Sequence, residues 1–120
     1  MKMRLVSIER EGAVKLSCDG SITGADIDAG GINPIQDVLG DTWTHSRIML
    51  DMDGVSYVDS SAIGWLISTQ KAVKDAGGKL VVYAVQPAVR QVLDLLKVGR
   101  VVSIVDSETE ARDLLISEKA

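Results

Sequence analysis

Phenylalanine is absent from this 120-residue chain, and its aromatic residues are Trp43, Trp65, Tyr57 and Tyr83. The core of such a protein has to be aliphatic, and a tryptophan standing outside it calls for an explanation. Cysteine occurs only as Cys18, which excludes an internal disulfide and any multi-thiolate zinc site and fits a reducing compartment. No basic run exceeds two residues and the formal net charge is −4, so neither nucleic acid nor an anionic membrane is an expected partner. The longest apolar run, Leu80 to Val85, is far short of the roughly 20 residues a bilayer-spanning helix needs. Met1 to Glu9 carries no apolar stretch of the signal-peptide kind, so a soluble cytoplasmic protein is expected.

What is present is an ordinary globular composition, 46% hydrophobic and 25% charged, in a length that suits a single domain over residues 1–120. A domain of this size buries roughly two-thirds of its unfolded surface, enough for one core without metals or disulfides. Alternating segments at residues 4–8 and 13–18 predict a hairpin, with Glu9 to Gly12 as its connection and Gly12 free to take positive φ. Residues 19–33 interleave Gly20, Gly24, Gly30 and Gly31 with Asp19, Asp26 and Asp28 and read as a loop. Asn33-Pro34 then opens a short helix that Gly40 stops.

From residue 47 onward, strands alternate with helices. Strands are predicted at 47–52, 80–85 and 101–105. Helices are predicted from about Ser60 to Ala76 and from Pro87 to Gly99, the latter with Val89, Val92, Leu93 and Leu96 on its apolar face. A closing helix starts at the capping-box pair Ser107 and Glu110. This order implies βαβ units with right-handed crossovers, the last three strands mutually parallel. The expected fold is α/β: a mixed sheet of four to five strands, with a hairpin in front and about four flanking helices.

The segment Val58-Asp59-Ser60-Ser61-Ala62-Ile63-Gly64 sits where a strand's following loop becomes a helix, the place where open α/β sheets receive ligands and partners. Taking Ile63, Leu66, Ile67 and Val73 as the buried stripe of that helix puts Ser61, Gly64, Trp65, Ser68 and Ala72 on its outer face. Trp65 would then anchor a partner; the alternative is that the preceding helix folds over it. Two roles suit Ser60. It can cap the helix, or it can accept a phosphate, whose roughly −1.5 to −2 charges the helix dipole and free amides would receive.

Strand, loop, Asp59-Ser60-Ser61-Ala62-Ile63-Gly64 and helix resemble the signature of STAS domains of the anti-sigma-factor-antagonist type. The Gly77–Val82 stretch and the Pro87–Gly99 helix resemble that family too, and the likeness runs from about Arg47 to Leu115. The resemblance implies that Ser60 is phosphorylated by a serine protein kinase doubling as the anti-sigma factor, with a phosphatase to reverse it. It also implies that the unphosphorylated protein binds that kinase and frees a sigma factor, without catalysis or cofactor of its own. With the outer face of the helix, the expected partner surface comprises Asp59, Ser61, Gly64, Trp65, Ser68 and Thr23. Departures from the family pattern are Ala62 for the commoner Gly, and Gly20-Ser21-Ile22-Thr23 where Gly-Glu-Leu/Ile-Asp is frequent. The Gly30-Gly31…Pro34 stretch also interrupts what is usually one continuous first helix.

Other constellations lead elsewhere. His45 has no neighbouring ligand set or nucleophile and reads as a loop histidine. Asp51, Asp53 and Asp59 resemble a magnesium cluster, but no Gly-Lys-Ser/Thr loop accompanies them, so no metal is expected. Cys18 falls on the inward phase of its strand. The competing reading for the whole chain is a STAS scaffold that assembles signalling complexes or binds a nucleotide, with Ser60 as a cap.

Overall fold

The computed structural model describes residues 1–9, 12–28 and 33–117. Strands β1 (Lys2–Ile8), β2 (Ala13–Ile22), β3 (Arg47–Val58), β4 (Lys79–Tyr83) and β5 (Ser103–Val105) form one sheet in the order β1-β2-β3-β4-β5. The first pair is antiparallel and every other pair parallel, as expected. The middle of the hairpin connection, Arg10 and Glu11, lies outside the described residues, but Gly12 does take a positive φ of 77°. Helices α1 (Gly24–Asp28), α2 (Pro34–Leu39), α3 (Ser60–Asp75), α4 (Pro87–Leu95) and α5 (Glu108–Ser117) complete the domain, with short 3-10 turns at Trp43–His45 and Val98–Arg100.

The sheet is buried on both faces at its centre. Ile48, Leu50, Leu80 and Val82 face α3, while Met49, Val81 and Tyr83 meet Ala111 and Leu115 of α5. Strands covered on both sides carry continuous rather than alternating apolar residues, which is why Leu80 to Tyr83 reads as one run. Cys18 is fully buried, and burial pushes its thiol up to about 12. Asn33 caps α2 through Oδ1, which accepts from the Ile35 amide at 2.9 Å, with Pro34 at the first helical position.

Several expectations need correction. Residues 19–28 are not loop: β2 runs on to Ile22 and α1 follows at Gly24, whereas Gly30 and Gly31 lie outside the described residues. Strand β3 does not end near residue 52 but continues to Val58, because Gly54, Tyr57 and Val58 pair with Asp19, Ser21 and Ile22 of β2. A Cβ on Gly54 would collide with the Asp19 carboxylate, so a glycine lets the two strands cross closely. Strand β4 ends two residues early, at Tyr83, just ahead of Ala84 with φ 58°, and β5 is confined to 103–105. Helix α4 stops at Leu95, ahead of Lys97 in the left-handed region, and buries Val89 and Leu93. That leaves Val92 at the surface and Leu96 55% exposed.

Helix α5 is fastened to the hairpin by charge. Arg112 donates to both carboxylate oxygens of Glu9, at 2.8 and 3.0 Å, and to Glu108 at 2.7 Å, while Lys15 also pairs with Glu108. The bond from Arg112 holds the Glu9 carboxyl below its usual range, and those from Lys15 and then Arg112 do the same for Glu108. Both groups have depressed folded-state values. Their contribution is therefore complete above the ordinary carboxylate range and is lost as pH falls through the depressed ones. Arg112→Ala is expected to cost about 1 kcal/mol at neutral pH, the upper end for a solvent-screened pair with bidentate geometry. Denaturant titrations across pH should show that deficit shrinking toward the acid limb; a deficit unchanged by acid would show that Arg112 acts through packing.

Candidate functional site

The parallel strands β2 and β3 end side by side, and the Asp59 amide extends their pairing by donating to the Ile22 carbonyl at 3.2 Å. Both chains then turn into helices, β2 into α1 and β3 into α3. Asp59 joins the two starts. Its Oδ1 accepts from the Ala62 amide at 3.0 Å, which makes it the N-cap of α3, and its Oδ2 accepts from the Gly24 amide at 3.0 Å. The Gly24 and Ala62 bonds hold its carboxyl below the usual range, so the cap stays ionised and weakens only as pH falls through that depressed value.

Because Asp59 takes the cap, Ser60 does not. Ser60 is the first helical residue, exposed, and its hydroxyl makes no hydrogen bond among the described residues. The capping role considered for this serine belongs to its neighbour. Ser61 is exposed as well and abuts α1: a Cβ on Gly24 would stand 2.9 Å from Ser61 Oγ. The two helices thus approach closely at Gly24, where a Cβ would displace the Ser61 side chain. Thr23 donates from both its amide and its hydroxyl to Asp26 Oδ2, at 3.1 and 2.9 Å. An acid thus sits beside the position where the family often carries one. It is supplied by Asp26, which sequence reading assigned only to a glycine- and acid-rich loop.

Trp65 is the correction at this site. It is 6% exposed and belongs to the main core, although it was expected on the outer face. The buried residues of α3 are Ala62, Ile63, Trp65, Leu66, Thr69, Gln70 and Val73. At about 100° per residue they fill an arc whose boundary is Trp65 rather than Ile67, which is 37% exposed instead of buried. The arc is wide because the helix is covered from two directions. The sheet packs on one flank, α1 and the Trp43–His45 turn lie on the other, and Asn33 Nδ2 donates to Thr69 Oγ1 at 3.1 Å.

The outer ribbon of α3 is therefore Ser60, Ser61, Gly64, Ile67, Ser68 and Lys71. At Gly64 a Cβ would meet nothing within 4 Å, so the helix backbone itself is open to approach. Of the expected surface, Asp59 and Ser61 flank Ser60 and meet Gly24, the residue after Thr23, while Gly64 and Ser68 are exposed farther along the helix. His45 is exposed and its Nδ1 lies 3.0 Å from the Ala76 carbonyl at the end of α3. Asp51 and Asp53 are engaged locally, the Asp53 amide donating to Asp51 Oδ1 at 2.8 Å. Among the described residues no group of three or more His, Cys, Asp or Glu side chains could hold a metal ion, and no helix is long and apolar enough to cross a membrane.

A hairpin-led mixed sheet with a serine-bearing helix start at its strand ends defines a small α/β domain built to present that helix. The chain belongs to the STAS domain family, whose profile matches residues 2–111. It is 30% identical over 65 residues to the anti-sigma F factor antagonist of Paenibacillus polymyxa; the aligned stretch covers 54% of this chain and spans only 56% of that relative. Among solved structures it is similar to the anti-sigma factor antagonist SpoIIAA in its unphosphorylated form, with TM-score 0.71, 19% identity and coverage of 99% and 100% of the two chains. The phosphorylated form of that Bacillus cell fate determinant gives 0.65, 17%, 95% and 99%. The murine anion transporter Slc26a9 gives 0.73 and 18%, over 89% of this chain and 18% of the transporter. At these identities the solved structures share the fold.

Proposed function

We propose that this protein is an anti-sigma-factor antagonist: a cytoplasmic regulatory module, without catalysis of its own, that binds an anti-sigma partner and is switched off by phosphorylation of Ser60. The partner is a serine protein kinase as well as an anti-sigma factor, and a phosphatase restores the active form. The observation that carries this reading is the free, exposed hydroxyl of Ser60 at the first position of α3, with the capping duty taken by Asp59. A kinase can reach such a hydroxyl without unwinding the helix, and the phosphate formed stands at the positive end of the dipole. The names of the Paenibacillus relative and of SpoIIAA support the same reading. Asp59, Ser61, Gly64, Ser68 and Thr23 form the partner surface around it.

The test is phosphate incorporation in the native host, read by intact mass and peptide sequencing. Wild type is expected to gain one phosphate on the peptide containing Ser60. Ser60→Ala should gain none and unfold at an unchanged temperature, since no cap is lost. An Ala variant that is still phosphorylated would move the site, and a wild type never phosphorylated under any growth condition would leave the scaffold reading in its place.

A further inference from the structure

The far end of α3 carries a second surface, separate from Ser60. Between the last two turns of that helix and the Val98–Arg100 turn lies an open groove of about 450 Å³. Ile67 and Val101 stand at its sides, 37% and 49% exposed. Lys71, Lys74 and Arg100 line it together with one acid, Asp75, and none of these cations has an ion-pair partner among the described residues. In a chain of net charge −4 this is a local concentration of unneutralised positive charge. The groove also contains Gln70, nine-tenths buried, whose carboxamide oxygen is enclosed with no hydrogen-bond partner among the described residues. A buried acceptor without a donor is unusual in a native protein.

We propose that this groove docks a short acidic segment of a partner protein. An aliphatic side chain of the segment lies between Ile67 and Val101, and its carboxylates meet Lys71, Lys74 and Arg100. An acidic peptide supplies both features at once, apolar side chains and anionic ones. Inorganic phosphate lacks the apolar part. A nucleotide lacks its usual aromatic platform, since no aromatic side chain lines the groove. The exposed ribbon of α3 runs from Ser60 through Gly64, Ile67 and Lys71 to this groove, so a partner seated on the helix start can reach it with an adjoining segment.

The test is an amide-resolved NMR titration of the full chain with the blocked peptide Glu-Leu-Glu-Glu-Leu-Glu, its Gln-for-Glu counterpart, ATP and inorganic phosphate. The acidic peptide is expected to give saturable shifts confined to residues 67–75 and 98–102, and the uncharged one none. Lys71→Glu and Arg100→Glu should each weaken binding about fivefold, the upper end of what loss of an exposed ion pair allows. Lys2→Glu, which changes net charge equally but lies on β1, should leave it unchanged. Absence of saturable shifts, equal loss in the Lys2 variant, or equally strong binding of the uncharged peptide would overturn the proposal. Matching saturable shifts from ATP or phosphate would overturn it in favour of a small-anion site.

Discussion

Trp65→Ala is expected to destabilise the domain by about 3–5 kcal/mol, the range for removing a large aromatic side chain from a core that cannot collapse around the void. Trp65 belongs to the main core, on a helix packed by the sheet and by α1 and the Trp43–His45 turn, so no single element closes on the space it leaves. Its indole N–H has no hydrogen-bond partner among the described residues. Trp65→Phe, which keeps much of the ring and removes that donor, should therefore cost far less than the alanine change, since burying an unpaired donor costs about 1–3 kcal/mol. Equilibrium denaturation followed by circular dichroism separates the cases. A stable Trp65→Ala protein that had lost its partner would return Trp65 to the surface and overturn the packing described here.

That tryptophan shows where sequence reading reaches its limit. The strong signals are all local: Leu80 to Val85 as a buried strand, Asn33-Pro34 as a helix start, Asp59 to Gly64 as the candidate site. Each depends on residues close together in the chain. The rotation of α3 about its own axis does not. It is set by α1, Asn33 and the Trp43–His45 turn, whose sequence carries no apolar periodicity, yet which pack on the flank of α3 away from the sheet. With Ala62, Thr69 and Gln70 too small or too polar to mark a core face, Ile67 looked like the better inward residue. The second half of β3 was hidden for a related reason. Asp53, Gly54 and Ser56 suit a loop by composition, but pairing along β2, with Val55 and Val58 buried, makes them strand. Tertiary partners override composition in both places.

The candidate segment Asp59 to Gly64 stands out in the sequence because its chemistry is local, yet the division of labour within it does not. Asp and Ser are both good N-caps, and nothing in Val58-Asp59-Ser60-Ser61 says which one fills that role. The deciding bond is long-range in sequence: the Gly24 amide takes the second oxygen of Asp59 and fixes its side chain across the two helix starts. With Asp59 held there, Ser60 moves inside the helix with its hydroxyl outward. A cap-forming serine would have to surrender its bond to the α3 backbone on being phosphorylated. Ser60 surrenders nothing, so the modification can act on the partner rather than on the fold.

Ser60→Asp is accordingly expected to fold at least as stably as wild type and to bind the partner at least about thirtyfold more weakly, equivalent to the loss of about 2 kcal/mol seen at an interface hot spot. On stability, a carboxylate in the first turn of a 16-residue helix is favoured by the dipole, by about 0.3–1 kcal/mol. On binding, the new charge joins Asp59, already kept ionised by the amides of Gly24 and Ala62; Asp26 adds little, since the Met1 ammonium pairs with it at 3.0 Å. A partner matched to a neutral hydroxyl beside Ser61 and the open backbone of Gly64 then meets an uncompensated anion it must desolvate. Like-charge contacts at an interface cost several kcal/mol where the partner is acidic there. Phosphate, with nearly twice the charge, should act more strongly than aspartate, and added salt should restore part of the lost affinity to both. Calorimetric titration of wild type, Ser60→Asp and Ser60→Ala against the purified kinase partner at low and high salt reads these terms separately. Ser60→Ala should bind as wild type does. If aspartate binds as tightly as serine while the phosphorylated protein does not, the switch depends on the shape of the phosphate rather than on charge, and the electrostatic account fails.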